Sequence, residues 1–358
     1  EFVEAVQADE LNGKTYVYLT ESSDACRLLI LANPASHFYV GNMPYAFSTE
    51  NFSTCLENKT LAYACENLHT AALTDPQNTV PYVGQKLPMS DLIDLPRIGT
   101  GVTMPQMQLK RAVGRIVVRN TAPGFILDGI TTVTNVAKSS RLHNLTETLE
   151  QNIGVENLVE YRGDNSYISD IVETDEIMPQ EQTTGDNPLY VYETHTSSND
   201  TYLIIRGRYN GESFFYKMAL VDDNRNMLNI QRNTEYIFTI TSIKGRGFSS
   251  IADVKASLAS NTNLDYTILV QDKSAYEIVS NNEYYLGVTN SHFEIYASAG
   301  TTRIYTAFTL ITDCKTEFPE KRTITSLTSN LKIVSPADGK IPVSTTSPLE
   351  VEIQMLAG

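Results

Sequence analysis

Tyr202-Leu-Ile-Ile-Arg-Gly-Arg-Tyr209, then Asn210-Gly211, then Glu212-Ser-Phe-Phe-Tyr-Lys-Met-Ala-Leu220 is the stretch on which the reading of this chain turns. Both flanks are rich in the β-branched and aromatic residues that suit a pleated surface. Asn-Gly between two such runs is the pattern of a two-residue type I′ turn, whose central residues must both take φ > 0. The sequence therefore predicts an antiparallel hairpin over 202–220.

Downstream, Glu235 to Ile243 reads as a strand and leads into Gly245-Arg-Gly247 and a short helix. Ser249 or Ser250 can cap that helix, and Ile251, Val254 and Leu258 fall on one face. From about Asp265 the strand runs resume: Thr267–Val270, Tyr284–Val288, His292–Ala297, Arg303–Ile311 and Leu331–Val334. The last, Leu349–Met355, alternates apolar and polar as a half-buried strand requires. This spacing predicts a small immunoglobulin-like sandwich over 265–358.

Upstream, Thr15–Leu19 and Arg27–Asn33 read as strands, the second apolar enough to be buried on both faces. Phe47–Leu68 is helical in patches and Thr70–Gly84 is loop-like. In Leu109–Asn120, Val113 and Val117 sit among Lys110, Arg111, Arg115 and Arg119, four basic residues that could form a ligand patch but read better as the outward side chains of an exposed strand. Pro123-Gly124 turns the chain into Phe125–Val136. The acidic, Gln/Thr-rich stretch Glu173–Asn187 is the best linker candidate. The fold class expected is mostly β, with tandem antiparallel sandwiches and a few short helices. The expected domains are 1–160, 161–264 and 265–358.

At 358 residues the chain has room for two or three domains of roughly 150 residues each. A formal net charge of −15 opposes binding to nucleic-acid phosphates. Cys26, Cys55, Cys65 and Cys314 form no C-x-x-C pair; Cys55 and Cys65 could bridge each other or Cys26, or stay free as small apolar side chains. No apolar run reaches the 18 or so residues a membrane helix needs, and Glu1-Phe2-Val3-Glu4 lacks the marks of a signal peptide, which is expected to be absent or already removed. Sequons stand at Asn51, Asn58, Asn144 and Asn199.

Chemistry-bearing patterns are sparse. His37, His69, His143, His195 and His292 show no i, i+4 pairing, and no G-x-S-x-G elbow, P-loop or G-x-G-x-x-G occurs. Asp222-Asp-Asn-Arg-Asn226 resembles the opening of a calcium loop, but Met227 and Asn233 occupy the positions where that loop needs Gly and Glu, so a plain turn is expected. Paired carboxylates such as Asp222/Asp223 and Glu173/Asp175 could serve a glycosidase only at the separation its mechanism needs, which the sequence does not supply. A secreted glycosidase or carbohydrate-binding module is accordingly the alternative to a non-enzymatic structural protein.

Four stretches in order resemble the N-terminal part of the Bacteroidales fimbrillins: Leu29-Ile-Leu-Ala-Asn33, Leu87-Pro-Met-Ser90, Leu109–Val118 and Phe125–Asn135. Tyr190-Val-Tyr-Glu193, Leu203-Ile-Ile-Arg-Gly207, Tyr216-Lys217 and Gln231–Tyr236 resemble that family's second domain. The resemblance implies transthyretin-like sandwiches, no cofactor or catalytic residue, and a cell-surface fimbrial subunit exported through the outer membrane. It also implies donor-strand exchange with other fimbrillin subunits, the acceptor lying in the N-terminal domain. A C-terminal strand that completes its own domain leaves nothing to donate, which suggests a tip or accessory adhesin. Tyr284 and Tyr285 are then the candidates for contact with a host or microbial surface protein or glycan.

Overall fold

The structure is a computed structural model and describes residues 1–11, 14–33, 36–71, 87–99, 107–145, 158–161, 189–196, 201–221, 226–257, 263–272, 277–280, 285–289, 293–296, 304–312, 323–341 and 349–356. The acidic stretch 173–187, the 222–225 turn, Asn199, Leu258, Tyr284, His292 and Cys314 lie outside the described residues.

The chain begins with a hairpin of β1 (Asp9–Leu11) and β2 (Lys14–Tyr16), followed by β3 (Cys26–Ala32), β4 (His37–Val40) and β5 (Met43–Ala46). Helices α1 (Thr49–Leu56) and α2 (Leu61–Asn67) come next. Each starts where a hydroxyl can cap it: Ser48 accepts from the Asn51 N–H and Thr60 from the Tyr63 N–H. Then follow β6 (Leu68–His69), β7 (Met89–Leu95) and β8 (Lys110–Arg111), giving sheets ordered β3-β7-β8 and β5-β4-β6. Phe38 is fully buried, stacked on Phe52 at 4.3 Å, among Leu56, Ala64, Leu68 and Leu142. Contrary to its apolar sequence, β3 is only half-buried, because among the described residues it is an edge strand paired with β7 alone. Cys26, Cys55 and Cys65 are free thiols, and burial raises the pKa of the latter two.

From β8 the chain runs into β9 (Val113–Asn120), β10 (Phe125–Ala137), β11 (Leu158–Tyr161), β12 (Leu189–Tyr192), β13 (Tyr202–Tyr209), β14 (Glu212–Ala219) and β15 (Thr234–Ile243). Helix α3 (Ile251–Ala256) and β16 (Leu264–Asp272) through β17 (Glu277–Ser280), β18 (Tyr285–Val288), β19 (Phe293–Tyr296), β20 (Ile304–Thr312), β21 (Leu331–Ser335) and β22 (Leu349–Met355) complete it. The large sheets are ordered β11-β10-β13-β14, β12-β9-β15-β16-β19 and β17-β18-β20-β22-β21. The molecule is thus mostly β with short helices, as expected.

The middle sheet is the organising layer. Tyr236, Phe238 and Ile240 of β15 and Ile116 of β9 face a core shared with Phe125, Ile130, Val133, Leu203, Ile205 and Met218 of the first large sheet. Because successive side chains in a strand alternate faces, Val117 and Ile237 point the other way. There they join Leu269, Tyr305, Ala307 and Ile353, which belong to β16, β20 and β22. The sheet is therefore buried on both faces, and β9 is an interior strand rather than the exposed one its arginines suggested. Arg115 is neutralised by Glu235, its register partner on β15, and Arg111 donates to Asn233 Oδ1 at 3.1 Å. The β9–β15 pair is parallel and makes the sheet mixed, while its other ladders are antiparallel.

Several ladders cross the expected divisions. β9 pairs with β12 and β15, which spans position 160, and β16 pairs with both β15 and β19, which spans position 265.

The predicted hairpin is present in the predicted register, with Tyr209 opposite Glu212 and φ of +54° and +84° at Asn210 and Gly211. A Cβ on Gly211 would meet nothing within 4 Å, so the cost of a side chain there is purely conformational. Gly211→Ala should lower stability by about 1–2 kcal/mol, the left-handed penalty, read as a shift of the urea midpoint at unchanged slope. The helix is also where expected: Ser250 Oγ accepts the Asp253 N–H at 3.1 Å, and buried Val254 packs on Tyr202 and Ile204. β22 lies between β20 and β21 with Val351 and Ile353 buried, as its alternation required.

Candidate functional site: an assembly edge and an interlayer cleft

β10 is 13 residues long, and its two neighbours cover it unequally. β13 pairs with it from Phe125 to Val133, but β11 only from Val133 to Ala137. Along 126–131 the flank opposite β13 has no strand partner among the described residues. The other edge of this sheet is closed. Phe215 of β14 exchanges both backbone hydrogen bonds with Phe248, at 2.9 and 2.8 Å, and Lys217 Nζ sits 3.8 Å from the Tyr202 ring while donating to the Ser257 carbonyl at 3.1 Å. An unpaired strand flank is a template for another strand, whereas a sealed one is not.

The N-terminal sheets are tied to the middle layer by a buried ion pair. Arg232 donates to both carboxylate oxygens of Glu193, at 2.8 and 3.3 Å, with each side chain 12% exposed. The same guanidinium also donates to Ser140 Oγ and to the Arg141 carbonyl, both at 3.1 Å, and Asn144 Nδ2 reaches Glu193 at 2.7 Å. Residues 140–142 in turn bond to Thr70 and Leu68 beside β6. Neither residue stood out in the sequence except as the end of Tyr190–Glu193 and the start of Gln231–Tyr236.

His143 lies beside this network, its Nδ1 3.0 Å from Ser90 Oγ. Burial, then the Arg232 charge, lowers its pKa from 6.5 to about 4, against opposition from Asp91; Lys110 lowers it further. The folded state keeps the ring neutral where the unfolded chain would protonate it, so unfolding takes up a proton between those values. Stability should therefore fall as pH drops from 6.5 towards 4. His143→Asn should flatten that part of a stability–pH profile measured by urea unfolding, and an unchanged slope would refute the assignment.

Between the middle sheet and the third lies a cleft of about 390 Å³. Its floor is one cross-strand row of the middle sheet, Tyr190, Arg115, Glu235 and Gln271, in register across β12, β9, β15 and β16. The next row on the same face, Val117, Ile237 and Leu269, is apolar and packs under β20. Gln271 Nε2 donates to the Ala307 carbonyl at 3.0 Å and also to that of Thr306. On the far wall the Thr289 and Thr309 hydroxyls bond each other at 2.9 Å beside Phe308.

The other expected site residues do not gather. Tyr285 opens β18 opposite Ser280, away from the strands that line the cleft floor. His37 pairs with Ser36 and His69 with the Glu66 carbonyl. Among the described residues no group of three or more His, Cys, Asp or Glu could hold a metal, and no helix is long and apolar enough to cross a membrane.

No family model matches the sequence, and no curated protein matches it. Solved structures do. A protein assigned to cell adhesion from Parabacteroides distasonis is 14% identical, with 75% of this chain and 92% of that one covered at a TM-score of 0.41. A fimbrial assembly protein from the same organism is 12% identical, covering 74% and 78%, TM-score 0.34. The tip fimbrial protein Mfa3 from Porphyromonas gingivalis, with a C-terminal truncation, is 13% identical, covering 68% and 99%, TM-score 0.34.

Proposed function

We propose that this chain is a non-enzymatic structural subunit of a cell-surface fimbria, exported through the outer membrane and assembled with other subunits by strand addition. The observation that carries this reading is the flank of β10 over 126–131. It lies in the N-terminal portion, where the fimbrillin-like motifs run in order along β3, β7, β9 and β10. A donor strand laid there would gain backbone ladder bonds along its length and side-chain recognition at alternate positions. β22 is held on both sides by β20 and β21, so it is itself a poor donor; a tip or accessory position is part of the same proposal. At that position the Tyr284–Tyr285 pair is our candidate for adhesive contact.

Two measurements test the reading. A donor-strand peptide from a stalk subunit should bind and raise the thermal midpoint, and cysteines introduced at Ile126 and in the peptide should cross-link. Absence of both overturns strand addition at β10. Gold-labelled antibody on intact fimbriae should mark distal ends; labelling along the shaft overturns the tip position.

A further inference from the structure

We propose that the interlayer cleft is a binding site for a mono- or disaccharide, independent of the strand-addition edge. The first argument is the break in pattern. The face of the middle sheet that meets β20 is apolar at Val117, Ile237 and Leu269, and turns polar one row further on at Arg115, Glu235 and Gln271. The Glu235 carboxylate is 3% exposed in that row and is held there by its pairing with Arg115, since burying a charge is costly without pairing.

The second argument is the type of group. Guanidinium, carboxylate and carboxamide are the planar groups that bind vicinal hydroxyls in pairs, because each presents two donor or acceptor positions about as far apart as adjacent ring hydroxyls. Tyr190 closes one end of the row and Phe308 stands on the facing wall, offering aromatic surface to the apolar C–H face of a sugar ring. Strand backbones and mutual hydrogen bonds fix these groups, so little ordering is needed on binding.

The third argument is unmet hydrogen bonding along the same seam. Thr267 shares its face of β16 with Leu269 and Gln271, and Tyr305 shares its face of β20 with Ala307 and Thr309. Both hydroxyls are buried and have no hydrogen-bond partner among the described residues. Neither residue lines the cleft itself, whose own lining of Arg115, Glu235, Gln271, Thr289 and Thr309 favours water or hydroxylated ligands over apolar ones. The volume, about 390 Å³, sits at the lower end of small-ligand sites. The Arg115–Glu235 pair balances its own charge, while Arg111 on the same lining donates to Asn233 Oδ1, so phosphate is the competing probe for a neutral sugar.

The test is a titration of the purified full chain with a panel of neutral mono- and disaccharides, read by saturation-transfer NMR, with inorganic phosphate as the competing probe. At least one sugar should bind with a Kd near 1 mM, and Thr289→Trp, which fills the far wall, should weaken it about tenfold or more. If that variant does not fold, chemical-shift changes in the wild type replace it and should fall on Val113, Thr306 and Thr309. No sugar bound at about ten times that Kd, binding of phosphate alone, or shifts confined elsewhere would each overturn the proposal.

Discussion

Replacing Glu193 by alanine should lower the unfolding free energy by about 3–5 kcal/mol, the range for breaking a buried ion pair from one side. Arg232 would keep its charge in a site where its side chain is 12% exposed, with Ser140 Oγ and the Arg141 carbonyl left to accept from it among the described residues. Asn144 would lose its carboxylate acceptor as well. The double replacement Glu193→Leu with Arg232→Met should restore most of the loss, because it removes the stranded charge along with the attraction. Guanidinium unfolding of the three proteins decides the matter. A single-variant loss below about 1 kcal/mol would mean that the pair behaves like a surface bridge and does not hold the N-terminal sheets to the middle layer.

How much of this was legible in the sequence follows from how local each signal is. Asn210-Gly211 dictates its turn from two residues, Ser250 caps from three positions away, and the alternation in Leu349–Met355 is visible inside one strand. Those elements stand where the sequence put them. The two-faced burial of the middle sheet was hidden because a basic residue in a strand signals exposure, and what neutralises the half-buried Arg115 is Glu235, brought beside it by a parallel pairing across more than a hundred residues. The cleft floor was hidden for the same reason: Tyr190, Arg115, Glu235 and Gln271 come from four separate strands and become one row only through register. Conversely, the apolar run of β3 overstated its burial, since nothing in the run itself says that its sheet ends there.

Phe238→Ala and Leu269→Ala probe the two faces of that sheet, and each should cost several kcal/mol: about 3–5 for the phenylalanine and 2–5 for the leucine. Phe238 is fully buried in the core shared with the first large sheet, and Leu269 is 3% exposed in the core shared with the third. β15 and β16 are neighbours in nine register pairs and each feeds both cores, β15 through Phe238 on one face and Ile237 on the other, β16 through Ile268 and Leu269. A cavity opened on either face loosens the same ladder, so both variants should move one cooperative transition and should accelerate hydrogen exchange in β13 and in β20 alike. If instead the C-terminal sheet folds as a separate unit, Leu269→Ala should split the transition and speed exchange in β20 and β22 while sparing β13. The register argues for the first outcome, because the third sheet's core is completed by side chains of β9, β15 and β16 and would lose that floor if those strands were not already in place.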